Sequence, residues 1–595
     1  APLRIVGRHH FTSALKRMSA VVRRPAGDEE ELWGLVKGAP EVIEQHLAQV
    51  PAGYVATHKY FAGQGGRVLA LAAKRLPSRP PEDYRHITRA ETEAELDFVG
   101  FAVFSCPVKR ESEPTLRSLA RAGQVNLMIT GDACLTACHV AEQVHIHTRP
   151  ALVLTALAPG TSAWAWLSVD EATRVPYDSA AGSIRRLAAD HDLCIGGDGI
   201  TMIHAQGQLE EVLMAVRVFA RVAPDQKELI VQTLRSMGLI TLMCGDGTND
   251  VGALKTAHCG VALLQATGAQ RTHKRRAPRE GSLKAPKDGR AARGEGRPKR
   301  PKRDRARQLA EELDPREGPP LVQLGDASMA APFTAKATSV GPCKDLIRQG
   351  RTTLVTTIQM YKILGLNCLA TAYALSVQYL DGVKLGDSQA TASGIATAAC
   401  FLFLSQAKPL PQLSKERPHA QIFCGYFVLS VIGQFAIHLT LLMHAVETAK
   451  GFMPPGEKPR VDSEFAPNVV NTVSYLTQVH IMMTTFAVNY VGRPFNQPIY
   501  NNRPLFFTLA AAFASLALIL TGNGEPLEDM LDLTPLPEGF RLHLLGLLGA
   551  DLVLATLAES AAGALFPAKV NQKLRELQRA AGTRTRRAGE TKKTK

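Results

Sequence analysis

The chain has 595 residues, with 69 Lys and Arg against 54 Asp and Glu, a formal net charge of +15. The excess sits in two runs, residues 271–307 with sixteen basic and four acidic side chains and residues 569–595 with ten and two, so the rest is mildly acidic and a uniformly basic nucleic-acid binder is excluded. Ten Cys are too sparse for a disulfide scaffold.

The length predicts several domains. The chain starts at Ala1 with no charged-then-apolar signal segment, as expected of a sequence whose beginning lies upstream. Residues 1–350 read as α/β: Phe98–Phe104, Val125–Ile129 and Leu239–Cys244 are strand-like runs, and Pro224–Met237 has a helical pattern. Such buried runs predict a parallel, helix-covered sheet. Residues 265–320, rich in Lys, Arg, Pro and Gly, interrupt this pattern and predict a disordered basic insertion. The run 271–307 has no aromatic residue, which speaks against stacking on single-stranded nucleic acid; no nucleic-acid partner is expected, and a solvated loop, able to touch anionic lipid heads, is the reading preferred.

Six apolar stretches follow, at about 352–380, 389–405, 422–446, 469–491, 504–521 and 542–566, and Pro504–Thr521 has no charged residue in 18 positions. A bilayer-spanning helix needs about 20 apolar residues, so six transmembrane helices over 351–566 are predicted, with the lipid bilayer as a partner. Loop 406–421 carries Lys408, Lys415 and Arg417 against Glu416, loop 492–503 carries Arg493 and Arg503, and the tail is basic, whereas loop 522–541 is acidic. The positive-inside rule then puts the α/β part and the basic tail, 567–595, on the cytosolic side. Asp551 and Glu559 are the carboxylates within the stretches; Gln359, Asn367, Gln378 and Lys362 lie in the first. These are functional candidates, or they serve helix–helix hydrogen bonding and snorkelling.

Three segments carry chemistry. Met243-Cys244-Gly245-Asp246-Gly247-Thr248-Asn249-Asp250 follows an apolar strand and precedes a helix. A strand-end carboxylate, a Gly-rich turn and a second carboxylate four residues on suit Mg²⁺ beside a phosphoryl group; an Asn/Asp helix cap is the plain alternative. Val125-Asn126-Leu127-Met128-Ile129-Thr130-Gly131-Asp132 repeats the strand–hydroxyl–Gly–Asp pattern, where Thr130 and helix-start N–H groups could hold phosphate oxygens. Arg221-Val222-Ala223-Pro224-Asp225-Gln226-Lys227 places Pro near a helix start and offers Lys227 as a point charge. Cys134, Cys138 and His139 lack a second ligand pair for a metal; Cys at this helical spacing reads as packed core thiols.

Together these three runs resemble the P-type ATPases. Two upstream pieces, Phe11-Thr12-Ser13-Ala14-Leu15-Lys16-Arg17-Met18-Ser19 and Lys37-Gly38-Ala39-Pro40-Glu41, are similar to that family's nucleotide-domain motifs. Ala331–Lys336, Val355–Lys362 and Phe401–Pro409 resemble the type V pumps, most closely the type V-A branch of the endoplasmic reticulum, described as an ATP-driven dislocase of misinserted transmembrane helices. The resemblance implies an incomplete α/β nucleotide-binding domain over 1–100 and an incomplete haloacid-dehalogenase-like phosphorylation domain over 101–350, with ATP and Mg²⁺ as cofactors. It implies that Phe11 stacks on adenine, that Lys16, Lys37 and Arg67 line the ATP pocket with Gly38, Gly131, Asp132 and Arg221, and that Thr130, Lys227, Asp246, Asn249 and Asp250 serve phosphoryl transfer. Asp246 would be the Mg²⁺ ligand, and Asp250 would orient the metal site or ligate it directly. Transmembrane polypeptide segments are the implied substrate. The ending Lys592-Lys593-Thr594-Lys595 looks like a dilysine retrieval signal.

The departure is the family's phosphorylation motif, Asp-Lys-Thr-Gly-Thr, which occurs nowhere in the chain. The actuator domain and first membrane helices are expected before Ala1. The motif ends a central strand of the phosphorylation domain, so a gap in the middle of that sheet is expected. Two other readings remain open: a type V cation or polyamine pump, and a catalytically inactive membrane protein that binds nucleotide or partners.

Overall fold

The computed structural model describes residues 3–12, 15–26, 29–157, 163–180, 182–263, 329–337, 339–379, 384–453 and 465–567. The basic insertion 265–320 and the tail from residue 568, including the terminal lysines, lie outside them, as does the side chain of Gln378. The described chain divides into two compact units, one formed by residues up to 343, the other by residues from 344 together with 118–124.

The first unit opens with β1 (Arg4–His9), β2 (Arg17–Ala26), β3 (Glu29–Gly38), β4 (Arg67–Leu76) and β5 (Asp97–Phe104), paired in that order and antiparallel throughout. Phe98–Phe104, expected in a parallel sheet, is therefore an edge strand of an antiparallel one. The reason is local at β2 and β3: two residues join them, enough for a hairpin, whereas a parallel pair needs a crossover of a dozen residues or more. Val36, Ile43, Tyr54, Ala70, Ala72 and Leu96 form the core on one face, and Tyr54, Phe98 and Phe101 meet there ring to ring. Helix α1 (Tyr54–Gly63) lies between β3 and β4.

The second part of the unit is the parallel one. Strands β6 (Met128–Ile129), β7 (Ala151–Ala156), β8 (Trp164–Ser168), β9 (Arg174–Pro176), β10 (Asp192–Gly196) and β11 (Val218–Ala220) form a sheet of order β6-β11-β10-β7-β8-β9. The first four neighbours are parallel; β8 and β9 extend the sheet antiparallel. Helices α2 (Cys134–Gln143) and α3 (Pro224–Ser236) follow β6 and β11. Leu152, Leu154, Trp166, Leu193, Ile195 and Phe219 are buried in its main core. Cys138, 3 % exposed, packs with Ala141, Val153, Cys194 and Val218 as a core thiol.

A third sheet holds β12 (Leu242–Gly245), β13 (Cys259–Leu263) and β14 (Phe333–Ala335), all parallel, with α4 (Val251–Thr256) after β12. The parallel strands thus make two sheets rather than one, with β6 and β12 the terminal strands. Their residues are half-buried, whereas those of β11 are fully buried, as fits strands with a neighbour on one side only. The expected five-residue strand Val125–Ile129 pairs over two residues for the same reason.

The second unit is helical. Its long helices are α5 (Gly341–Tyr373, which begins in the first unit), α6 (Asp387–Ser405), α7 (Gly425–Lys450), α8 (Val469–Val488), α9 (Arg503–Leu520) and α10 (Glu538–Leu565). They coincide with the six apolar stretches. Three of them, α7, α9 and α10, are long and apolar enough to cross a membrane by length and composition. Helix α8 buries 15 of its 20 residues, among them Asn471, Thr472, Ser474, Thr477, His480, Thr484 and Thr485. Several of these find partners off the helix: Asn471 accepts from Gln389, Thr472 accepts from Thr534 N and Thr485 donates to Asn367.

Candidate functional site

Antiparallel registry gathers the residues expected around ATP. The C-terminal end of β1, the N-terminal end of β2, the C-terminal end of β3 and the N-terminal end of β4 fall at the same end of the sheet. Phe11, Lys16, Lys37, Gly38 and Arg67 therefore lie at that end, although 56 positions separate the first from the last. Phe11 is 55 % exposed, and Lys37 and Arg67 are exposed. Lys16 takes a left-handed backbone, φ +51°, disfavoured for a side chain with a Cβ. Its N–H donates to Thr12 O at 3.0 Å and its C=O accepts from Ala39 N at 3.0 Å, which fixes the turn. A Cβ on Gly38 would lie 2.8 Å from Arg17 Cβ and 2.9 Å from Lys16 O, so the close approach of β3 to this turn requires glycine. Beneath the turn, the buried Glu93 accepts from Arg17 at 2.6 Å, Ser19 at 2.8 Å and Arg89 at 3.0 Å.

The other residues sit at the carboxyl ends of parallel strands, where α/β sheets present ligand-binding loops. Because β6 and β11 run side by side, the loops after them touch: Val222 N donates to Thr130 O at 3.1 Å and Arg221 N to Asp132 O at 2.9 Å. Thr130 Oγ1 accepts from Asp132 N at 3.1 Å and donates to Asp132 Oδ2 at 3.2 Å; Gly131 is exposed between them. Arg221, like Lys16, has a left-handed backbone, φ +52°. Pro224 opens α3, and Gln226 Oε1 accepts from Ala223 N at 3.0 Å to cap it.

Lys227, one turn into α3, reaches the loop after β12. Its Nζ donates to Asp250 Oδ1 at 2.8 Å, with both side chains 10 % exposed. Asp250 Oδ2 accepts from Gly247 N at 3.3 Å, so this carboxylate closes the Gly-rich turn and anchors it to α3. A Cβ at Gly245 would meet Asp250 Oδ2 at 2.6 Å, which makes glycine obligatory at the strand end. Asp246 and Asn249 are exposed on the same turn. Cys244, beside Asp246, is pushed up by hydrogen bonding with Cys343 and by burial, so it stays a neutral thiol rather than a nucleophile or metal ligand. The three motif segments are thus one connected structure: 130–132 bonds to 221–222, and 227 to 250.

Two ion pairs join the ATP-side residues to these loops: Arg221 to Glu41 at 2.6 Å and Arg67 to Asp132 at 3.7 Å. Glu41 had no role from sequence, though it stands inside the Lys37–Glu41 run. The turn after β10 was also missed. Ile195-Gly196-Gly197-Asp198-Gly199 repeats the strand–Gly–Asp–helix signal. Gln226 Nε2 donates to Gly197 O at 2.9 Å, and a Cβ on Gly197 would lie 2.6 Å from Arg221 O.

No family model matches the chain. A search of characterised proteins does find relatives. The chain is 49 % identical over 569 residues to an Arabidopsis thaliana protein named "Probable manganese-transporting ATPase PDR2", covering 91 % of this chain and 47 % of that protein. It is 36 % identical to the "Endoplasmic reticulum transmembrane helix translocase" of Schizosaccharomyces pombe, over 94 % of this chain and 51 % of that one, and 35 % identical to the Saccharomyces cerevisiae protein of the same name, over 91 % and 50 %.

The chain belongs to the type V P-type ATPases.

It spans about half the length of the relatives it matches. Within a P-type ATPase, the strand-end loops carrying Thr130, Lys227, Asp246 and Asp250 and the cationic sheet end carrying Lys16, Lys37 and Arg67 are chemically matched to a nucleoside triphosphate with a hard cation. The cations suit phosphate oxygens, and the exposed Asp246 carboxylate suits Mg²⁺.

Proposed function

We propose that the chain forms the nucleotide-handling and membrane parts of an ATP-driven translocase of the endoplasmic reticulum membrane that extracts misinserted transmembrane helices. The observation that carries this reading is the likeness to two proteins named as such translocases over more than nine-tenths of this chain, so that both units are included. In this reading residues 1–100 belong to the nucleotide-binding domain, 101–350 to the phosphorylation domain, and 351–566 form six membrane spans, α8 and α5 being tolerated in the bilayer because their polar side chains face other helices. The α/β unit and the tail are cytosolic, as the loop charges require.

ATP with Mg²⁺ supplies the phosphoryl group whose transfer drives the cycle. The chain's own residues have these roles. Phe11 offers an exposed aromatic face to the base. Lys16, Lys37 and Arg67 attract the phosphates, with Gly38 letting the Lys16 turn pack closely on β3. Arg221 and Asp132, with Gly131 between the loops, set the junction of the nucleotide and phosphate ends. Thr130 donates a hydrogen bond to a phosphoryl oxygen, Lys227 supplies positive charge, Asp246 holds the metal, and Asn249 and Asp250 keep the turn in register for it.

A manganese pump is the second reading, favoured by the name of the 49 % identical relative. The deciding experiment uses a full-length enzyme containing this chain, reconstituted with a tail-anchored test protein. ATP-dependent release of the inserted helix, with hydrolysis indifferent to Mn²⁺ gradients and polyamines, is expected. Hydrolysis stimulated by Mn²⁺ or a polyamine, without helix release, overturns the reading in favour of a pump.

A further inference from the structure

The helical unit encloses two polar clusters that the phosphoryl chemistry does not use. Tyr426, Ser430, Gln434 and His438 recur every fourth residue along α7 and so share one face. In the first cluster Glu559 on α10 pairs with Lys362 on α5 at 2.5 Å and accepts from Tyr426, Ser430 and Gln434. Gln434 and Asn489 exchange amide bonds at 3.1 and 2.8 Å. That cluster is charge-balanced, one cation to one carboxylate.

The second cluster is not. Asp551 on α10, 2 % exposed, lies 2.8 and 3.1 Å from His438 Nδ1, and 3.1 Å from Nε2 of His480 on α8. Its ion-pair partners among the described residues are these two imidazoles. Lys362 is taken by Glu559. His444 and His543 face each other, 6.0 Å apart ring to ring. Helix α9 presents Phe513 to His480, an apolar ring 6.0 Å away, and Thr484 lies 3.2 Å from the same Nε2. An ionised carboxylate only accepts hydrogen bonds, so both facing nitrogens carry protons. With both rings otherwise neutral the cluster holds an uncompensated buried negative charge, which costs several kcal/mol. One further proton cancels it.

We propose that His438, Asp551 and His480 form a proton-binding site within the helical unit, holding one proton on the imidazole pair against an ionised Asp551. The ligand is the proton rather than a metal, because the three side chains are not arranged as a metal-holding group. Binding is simple uptake of H⁺ at a ring nitrogen, with no bond to a co-reactant. Histidine is the side chain suited to exchange that proton near neutral pH. The inference rests on the helical unit alone and stands whether the transported substrate is a polypeptide or a cation.

The test is solid-state NMR of the full chain in lipid bilayers at neutral pH, with histidine labelled on the ring nitrogens, beside infrared spectra of the carboxyl region. Between His438 and His480 the wild type is expected to show one imidazolium that disappears in Asp551→Asn, and His438→Gln is expected to change the remaining His480 signal. Two neutral imidazoles with a carboxylic-acid band that Asp551→Asn removes would place the proton on Asp551 and overturn the proposal. An imidazolium unaffected by Asp551→Asn, or Mn²⁺ at micromolar concentration broadening both ring signals, also overturns it. Should Asp551→Asn fail to reconstitute, the wild-type ring and carboxyl signals still decide between the two placements of the proton.

Discussion

At the scale of single residues, the Lys227–Asp250 pair is the joint on which the phosphate loops depend. Both side chains are 10 % exposed. Removing one partner of a buried pair typically costs about 3–5 kcal/mol, whereas replacing both by apolar groups of similar volume is often close to neutral. Lys227→Met and Asp250→Leu should each be strongly destabilising, and the double variant should recover most of the loss without recovering turnover in a full-length enzyme. Chemical denaturation of the α/β unit within the chain checks the first part, and equal stability of the single variants and wild type would show the pair to be incidental. Asp246 carries a different expectation. Asp246→Asn keeps the shape and removes the charge, so in a full-length enzyme phosphoenzyme formation should fall by about 10²–10³ and need more Mg²⁺, with nucleotide binding nearly intact. A wild-type rate and Mg²⁺ dependence would leave Asp246 as part of a helix cap only.

At the scale of elements, β10 is held at its start by Asp192. Its carboxylate accepts from Thr148 N at 2.6 Å, Arg149 N at 2.8 Å and the Arg149 guanidinium at 2.6 Å. Burial alone would raise this carboxyl, but the Thr148 and Arg149 donors and the guanidinium charge outweigh it and hold it below the usual carboxylate range. A lowered folded-state value contributes stability that is present above the unfolded value, about 3.9, and is lost as pH falls through the folded one. Hydrogen-exchange protection of Cys194–Gly196 should therefore exceed that of Asp192→Asn at neutral pH and converge with it under strongly acidic conditions; a pH-independent difference would contradict this. The elements also show where sequence is legible. The six apolar stretches announce α5 to α10, and Pro224 with a following amphipathic run announces α3, because these signals are local. The antiparallel sheet was misread because apolar runs such as Phe98–Phe104 look alike in either sheet type; their pairing is set by connections. The strand-end motifs could be found one by one, but not the contacts between them. Lys227 and Asp250 are 23 positions apart and His438 and Asp551 are 113 apart, and no periodicity reports such pairings. Glu41 and the turn at Gly196–Gly199 were within reach, since the latter repeats a pattern already read at Thr130.

At the scale of the whole molecule, the chain carries the residues proposed to meet ATP but not the family's phosphate-accepting motif. The cationic sheet end around Phe11, Lys16, Lys37 and Arg67 is present, and Phe11→Ala should weaken adenine nucleotide binding while leaving the amide spectrum of the chain otherwise unchanged. Identical ATP titrations for Phe11→Ala and wild type would remove Phe11 from the site. The Asp-Lys-Thr-Gly-Thr motif, by contrast, is absent from the sequence, and where a gap in the middle of one sheet was expected, β6 and β12 stand as end strands of two separate sheets. The most direct measurement is incubation of the purified chain with γ-labelled ATP and Mg²⁺, sampled before and after acid quench. Label that is bound and exchangeable is expected before the quench, and none that is acid-stable and hydroxylamine-sensitive after it. Acid-stable, hydroxylamine-sensitive label, or no bound nucleotide at all, would contradict this.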